Sequence, residues 1–276
     1  MELLIREWIQ QYVADYPGQK ALENCWQSPL TAFAPAEDPR FHHIKNWGQP
    51  KHQLPSDLLP EARTVVAYFL PFLPVIPHSN RNGRLASREW GRAYLLTNQL
   101  IADLNLFLKD QLEQAGFKAA FAQATHNFDE TTLMSVWSHR HVAYLAGLGN
   151  FGLNNMLITE KGCCGRVGTL VTSALVTCQP MTPAETCLYR YNGSCGLCVQ
   201  RCVNGSLTLD AFDRHRCYEM CLENASALSS MGLADVCGKC TVGLPCSGVN
   251  PTSRLTPSPA GSPDARNHKE GSLNEL

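Results

Sequence analysis

The chain has 276 residues, 44% of them hydrophobic and 17% charged, with a formal net charge of −1. A chain of that size buries a sizeable core, as one large domain or as one domain with a small module attached. Near-neutral charge without a Lys/Arg run excludes a general electrostatic affinity for nucleic acid or for an anionic membrane.

The first residues, Met1 to Glu7, lack the basic start and long apolar stretch of a signal peptide. A cytoplasmic, soluble protein with no membrane partner is expected. Residues 2–15 predict an amphipathic helix, with Ile5, Trp8, Ile9 and Tyr12 at helical spacing and Pro17-Gly18 as its stop. Residues 25–62, rich in Pro, His and Asn, read as a long ordered loop with short helical turns. Residues 64–70 are a buried strand ended by Pro71, too short and too broken by proline to span a bilayer. Ser87 is a candidate N-cap of a long helix whose inner face is Trp90, Tyr94, Thr97, Ile101, Leu104 and Leu108, with Gly116 after its end. Residues 117–124 suggest a second strand, and 136–148 a helix that runs into a glycine-rich turn. Two strand-like segments follow, 155–159 and 168–176, and the turn between them, Gly162 to Gly165, predicts a hairpin. Residues 250–276 are polar and read as a disordered tail.

The cysteines carry the strongest signal. There are 13, and nine fall between Cys187 and Cys246. Without a secretory signal, such thiols read as metal or catalytic ligands and not as disulfides. The first group is Cys187-x7-Cys195-x2-Cys198-x3-Cys202, and the second is Cys217 followed by Cys237-x2-Cys240-x5-Cys246. The run C-x2-C-x2-C-x3-C of two-cluster ferredoxins gives its fourth cysteine to the other cluster. Cys195, Cys198 and Cys202 fit its last three places; Asn192 holds the first, and Cys187 is the nearest substitute. Two intervening residues let a tight turn aim both thiolates at one cubane, and three begin a helical turn that carries the last sulfur away. Cluster one therefore takes Cys187, Cys195, Cys198 and Cys246. Cluster two takes Cys202, Cys217, Cys237 and Cys240, with Cys221 as a possible replacement for Cys217. Tetrahedral zinc is the plain alternative for two C-x2-C pairs, but it leaves Cys202 and Cys246 unexplained. Cys25, Cys163, Cys164 and Cys178 read as small buried hydrophobes.

The glycine-rich stretch Ala146 to Gly152 has no preceding strand and no following Gly-Lys-Ser/Thr, so it is not a phosphate loop. It reads either as a helix cap and tight turn or as backbone that closely approaches a large flat ligand.

The stretch from Trp137 to Gly152, continuing through Leu157-Ile158-Thr159 and Gly165-Arg166-Val167-Gly168-Thr169, resembles the epoxyqueuosine reductases and the related cobalamin-dependent reductive dehalogenases. Leu54 to Pro60, the strand at 64–70 and the Arg216-Cys217 pair between the cysteine groups are similar too. The resemblance implies an α/β (α+β) fold: a nitroreductase-like cobalamin-binding domain over residues 1–177 and a ferredoxin-like module of two 4Fe–4S clusters over 178–249. It implies base-off cobalamin held by Arg140, Gly147, Gly149, Asn150, Gly152, Asn154, Asn155, Met156, Leu157 and Ile158. His42, His43 and Trp137 would border that pocket. The family's catalytic aspartate falls near Leu133, so the upstream Asp129 and Glu130 become the candidate proton donors. A short polar tail stands where the family carries a helical-repeat domain.

The expected function is an iron–sulfur oxidoreductase that passes electrons from two clusters to cobalamin. An electron carrier and a corrinoid-binding protein without turnover are the alternatives. The expected electron donor is a flavodoxin or ferredoxin. With no cationic footprint in the composition, tRNA is a doubtful substrate, and an unknown small molecule or protein is expected in its place.

Overall fold

The computed structural model describes residues 1–46, 50–178, 184–253 and 255. Most of the predicted 250–276 tail therefore lies outside the described residues.

In chain order the helices are α1 (Glu2–Gln19), α2 (Arg40–Asn46), α3 (Pro55–Leu58), α4 (Val75–Ser79), α5 (Arg88–Gln114), α6 (His139–Leu145), α7 (Leu188–Asn192), α8 (Leu197–Arg201) and α9 (Arg214–Ala227). The strands are β1 (Leu30–Pro35), β2 (Thr64–Pro71), β3 (Ala119–Ala120), β4 (Gly149–Phe151), β5 (Leu157–Thr159) and β6 (Gly165–Thr172). Four of them make an antiparallel sheet in the order β1-β2-β6-β3, and β4 pairs with β5 in a separate hairpin.

All eight residues of β2 are buried because both faces of the sheet are covered. Val66, Tyr68 and Leu70 face a core built with α1 and α5; Val65, Ala67 and Phe69 face a second core built with α2 and α6. This period-2 partition makes a mixed α/β, three-layer arrangement. Helix α5 is the longest element, and the Ser87 hydroxyl accepts from Trp90 N at 3.1 Å, as an N-cap does. Gly116 follows it with φ +85°.

Three expectations need correction. Helix α1 does not stop at Pro17-Gly18 but runs through them to Gln19. The segment 25–62 contains strand β1, which pairs with β2 over six residues; prolines on either side hid a short run with edge character. The hairpin predicted between 155–159 and 168–176 does not form. Strand β6 begins at Gly165 and pairs with all of β2, whereas β5 folds back on β4. The eight-residue apolar pairing in the central sheet outweighs a local hairpin, and Gly149 suits β4 to β5: a Cβ there would stand 2.3 Å from the Ile158 carbonyl oxygen.

Leu228, Ala234 and Val242, from the cysteine-rich region, belong to the same core as α5 and β2. Among the described residues no helix is long and apolar enough to cross a membrane.

Candidate metal and cofactor site

The nine clustered cysteines fall around two cavities. Cys187, Cys195, Cys198 and Cys246 line the smaller, against Leu153, Ile158, Leu244 and Pro245. Cys202, Cys217, Cys237 and Cys240 line a second cavity of about 430 Å³, together with Cys221. Helix α8 separates the sets, with Cys198 inside it and Cys202 just past its end. The structure thus brings together each set of four that spacing grouped.

The thiols perturb one another. Burial, then neighbouring Cys187, Cys246 and Cys195, push Cys198 up to about 12. Burial and the adjacent Cys217, Cys237 and Cys202 hold Cys240 well above the ordinary thiol range. Cys217 runs the other way, down to about 7: Cys221, one turn along α9, bonds to it, and the Ser206 hydroxyl and Arg140 add to that effect against burial. Burial opposes ionisation of Cys202, yet the Ser206 hydroxyl and nearby backbone N–H groups draw it below its usual value. Thiols packed this way ionise together only when a metal compensates their charge. Among the described residues no three His, Cys, Asp or Glu side chains stand close enough to share a single ion. The second set instead surrounds the large cavity, whereas the first set closes on a space of only about 20 Å³.

Long-range hydrogen bonds pin the cysteine region to the sheet domain. Asn80, fully buried, donates to the Cys237 carbonyl at 2.9 Å, and Asn154 donates to the Cys240 carbonyl at 2.8 Å. The Cys163 and Cys164 N–H groups donate to the Cys246 and Ser247 carbonyls at 2.9 and 3.0 Å. That ladder accounts for the Cys163-Cys164 pair, whose thiols both face the Thr241 carbonyl. Cys25 is buried at the α1–α5 core, and Cys178 packs partly buried beside it.

Arg140, Asn154, Asn155 and Met156 line the larger cavity. Arg140 is solvent-exposed at the rim of that cavity and bonds to the Asn155 carbonyl. Desolvation by the surrounding protein lowers its pKa and the Cys217 and Cys240 thiols oppose that. Gly147, Gly149, Asn150, Gly152, Leu157 and Ile158 lie outside its lining. Gly147 caps α6 with φ +85°, and Gly152 closes the β4–β5 turn by donating to the Met156 carbonyl at 2.9 Å. Trp137 is buried in the α6 core and donates to the Thr169 hydroxyl at 2.9 Å, and His42 lines a separate cleft beside Glu37 and Asp38. His43 is exposed on α2.

Asp129 is held in a turn by Thr131 and Thr132 N–H groups at 3.1 and 3.0 Å and by Lys51 at 3.4 Å, which lower its pKa. Glu130 is exposed, and neither carboxylate lines the cavity. Groups that sequence reasoning missed do line it. Tyr94 donates to Asp235 at 2.7 Å, His126 Nε2 stands 3.1 Å from the other Asp235 oxygen, and the Arg166 guanidinium sits 4.4 Å from the Tyr94 ring centroid. Burial, with Asp235 beside it, pushes the Tyr94 phenol up to about 12. Helical periodicity gave Trp90 and Tyr94 as core residues. Nothing in a single sequence separates a cavity wall from a packed core.

No family model matches the chain. It is 29% identical over 197 residues to the epoxyqueuosine reductase of Synechocystis sp., covering 67% of this chain and 61% of that protein. It is 30% identical over 161 residues to the epoxyqueuosine reductase of Listeria monocytogenes, covering 55% and 38%. It therefore spans less than two thirds of either relative. A selenomethionine-labelled crystal structure of an epoxyqueuosine reductase superposes with TM-score 0.50 at 18% identity, over 88% of this chain and 66% of that one. The expectation of an unknown small-molecule or protein substrate, with tRNA doubtful, is corrected here. Both curated relatives are epoxyqueuosine reductases, which is what overturns that expectation. A further solved epoxyqueuosine reductase, with an epoxyqueuosine-modified tRNA stem loop, is 20% identical with TM-score 0.48 over 78% of this chain and 57% of that one. Net charge averages over the whole surface and is blind to local patches, so it does not count against a tRNA substrate. In sequence and in fold, the chain is similar to the epoxyqueuosine reductases.

Proposed function

We propose that this chain is a cobalamin-dependent iron–sulfur reductase acting on epoxyqueuosine in tRNA. One observation carries the reading: eight cysteines from two separated stretches converge in two sets of four, and the second set opens onto the large cavity. Residues 178–249 then act as the electron-supplying part and residues 1–177 as the corrin-binding part. When bound, two 4Fe–4S clusters supply low-potential electrons and a corrin supplies a strongly nucleophilic cobalt centre.

The chain's own residues have separable tasks. Cys187, Cys195, Cys198 and Cys246 hold one cluster, and Cys202, Cys217, Cys237 and Cys240 hold the other. The large cavity suits a ligand rich in carbonyl acceptors, as the corrin amides are. Arg166 there is half-buried, with its Nε buried and unpartnered among the described residues, and Arg140 presents a second guanidinium. Asn154 ties the hairpin tip that lines this cavity to Cys240, fixing ring site and cluster site relative to each other.

The placement of Asp129 and Glu130 off the cavity wall favours a second reading, in which the chain binds and reduces a corrinoid without substrate turnover. Anaerobic titration with cobalamin, followed by its visible spectrum, tests the shared part. The dithionite-reduced, cobalamin-loaded protein is then given an epoxyqueuosine-modified tRNA stem loop. Conversion to queuosine by mass spectrometry is expected. A spectral change without conversion leaves the second reading, and no spectral change contradicts both.

A further inference from the structure

The two cysteine sets sit in unlike surroundings. The wall of the smaller cavity is apolar apart from Asn154 and Tyr189, and no charged side chain lines it. The wall of the larger one carries Arg140, beside Cys217 and Cys240, and buried Lys239, whose Nζ donates to the Asn80 and Asn82 carbonyls at 2.9 and 2.8 Å. It also carries Trp90. The indole of Trp90 is buried, its Nε1 has no hydrogen-bond partner among the described residues, and it packs against Gly238 in the turn between Cys237 and Cys240. A Cβ on Gly238 would stand 2.5 Å from Nε1, 2.4 Å from the adjacent Cε2 and 2.3 Å from Cζ2. A buried N–H without an acceptor is costly, and cores seldom keep one without a use for it.

We infer that Trp90 donates its indole N–H to the sulfur shell of the cluster held by Cys202, Cys217, Cys237 and Cys240, making that cluster the higher-potential member of the pair. The inference rests on the two-cluster reading. A cluster gains negative charge on reduction, so a hydrogen bond to its sulfurs and nearby cations favour the reduced form. The apolar first site offers neither. One electron then passes downhill from the first cluster, which is oxidised, to the second, which is reduced, with no proton required. It comes to rest at the wall of the large cavity, where it is used.

The test is an EPR-monitored redox titration of the anaerobically reconstituted full chain, without corrin, as wild type and as Trp90→Phe. Phe keeps an aromatic ring in the site and removes the donor together with part of the indole that faces Gly238, so the unmoved lower wave serves as the control for a general packing effect. Two one-electron waves are expected. In the variant the higher wave falls by roughly tenfold in reduction equilibrium, ~59 mV for one electron, and the lower wave stays. An unmoved higher wave, or a shift in the lower one, overturns the inference. Should the variant fail to load its second cluster, indole-15N labelling of the wild type decides: a 15N coupling to the reduced high-potential cluster supports the donor, and its absence refutes it. A wild type without iron, labile sulfide or EPR signals refutes the two-cluster reading itself, a distinct failure.

Discussion

At the scale of single residues, the chemistry depends on which thiol of a close pair is a ligand. Cys217 and Cys221 lie one turn apart on α9 as free thiols sharing a hydrogen bond, and spacing left either as the ligand. The environment separates them: Arg140 and Ser206 favour the Cys217 thiolate, while Cys217 itself and burial keep the Cys221 proton in place. Cys217→Ser is therefore expected to lose about half the iron and sulfide, and Cys221→Ser to keep nearly all of both. Equal loss in the two variants would contradict the assignment. Gly238 is a second such position. It holds φ +70°, and any side chain there meets the Trp90 ring. Gly238→Ala is expected to abolish the second cluster selectively, since left-handed backbone costs an L-residue ~1–2 kcal/mol before the clash is counted. Iron analysis beside EPR of the surviving cluster checks this. Both cysteine sets were legible from spacing because thiol positions are a one-dimensional code. The partner groups Trp90, Tyr94, Arg166 and Asp235 were not, because they come from remote segments and belong to no motif.

At the scale of elements, local signals and tertiary pairing compete. Where they agree, sequence reasoning holds: Ser87 caps α5, and β2 is buried end to end. Ser87 also accepts or donates a bond with Ser79 at 2.8 Å, and its N–H donates to Asn80, the residue that holds the Cys237 carbonyl. Ser87→Ala should then lower stability by ~1 kcal/mol while leaving cluster content intact, as chemical denaturation with iron analysis would show. A normal denaturation midpoint would mean that the cap is not used. Where the signals disagree, the sheet wins. The turn after β5 is real, with reciprocal bonds between Thr159 and Gly162, yet the next strand leaves for the central sheet. The glycine-rich stretch was ambiguous for a related reason. Glycine is demanded by close approach of any backbone, and here Gly149 and Gly152 pack against Asn154 and Ile158 of their own hairpin.

At the scale of the whole molecule, the cysteine region and the sheet domain share one core and are laced by Asn80, Asn154 and the Cys163–Cys246 ladder. On the proposed two-cluster reading, cluster assembly and folding would accordingly be coupled. Three buried histidines around the start of α6 add a pH dependence. Burial holds His52 and His139 down at about 4 and His141 at about 3, against an ordinary 6.5. They are neutral in the native state and charge more readily when unfolded. Their contribution is complete above pH 6.5 and is lost as pH falls towards 4. The thermal midpoint should drop across that window, and less steeply in His52→Asn than in the wild type. Identical slopes would contradict the account.

The central claim is that two sets of four thiols each wrap an inorganic cubane. Iron and acid-labile sulfide in the pure, anaerobically reconstituted protein test it most directly. The account predicts close to eight of each per chain. A colourless protein without labile sulfide, or one that takes up zinc in place of iron, would contradict it.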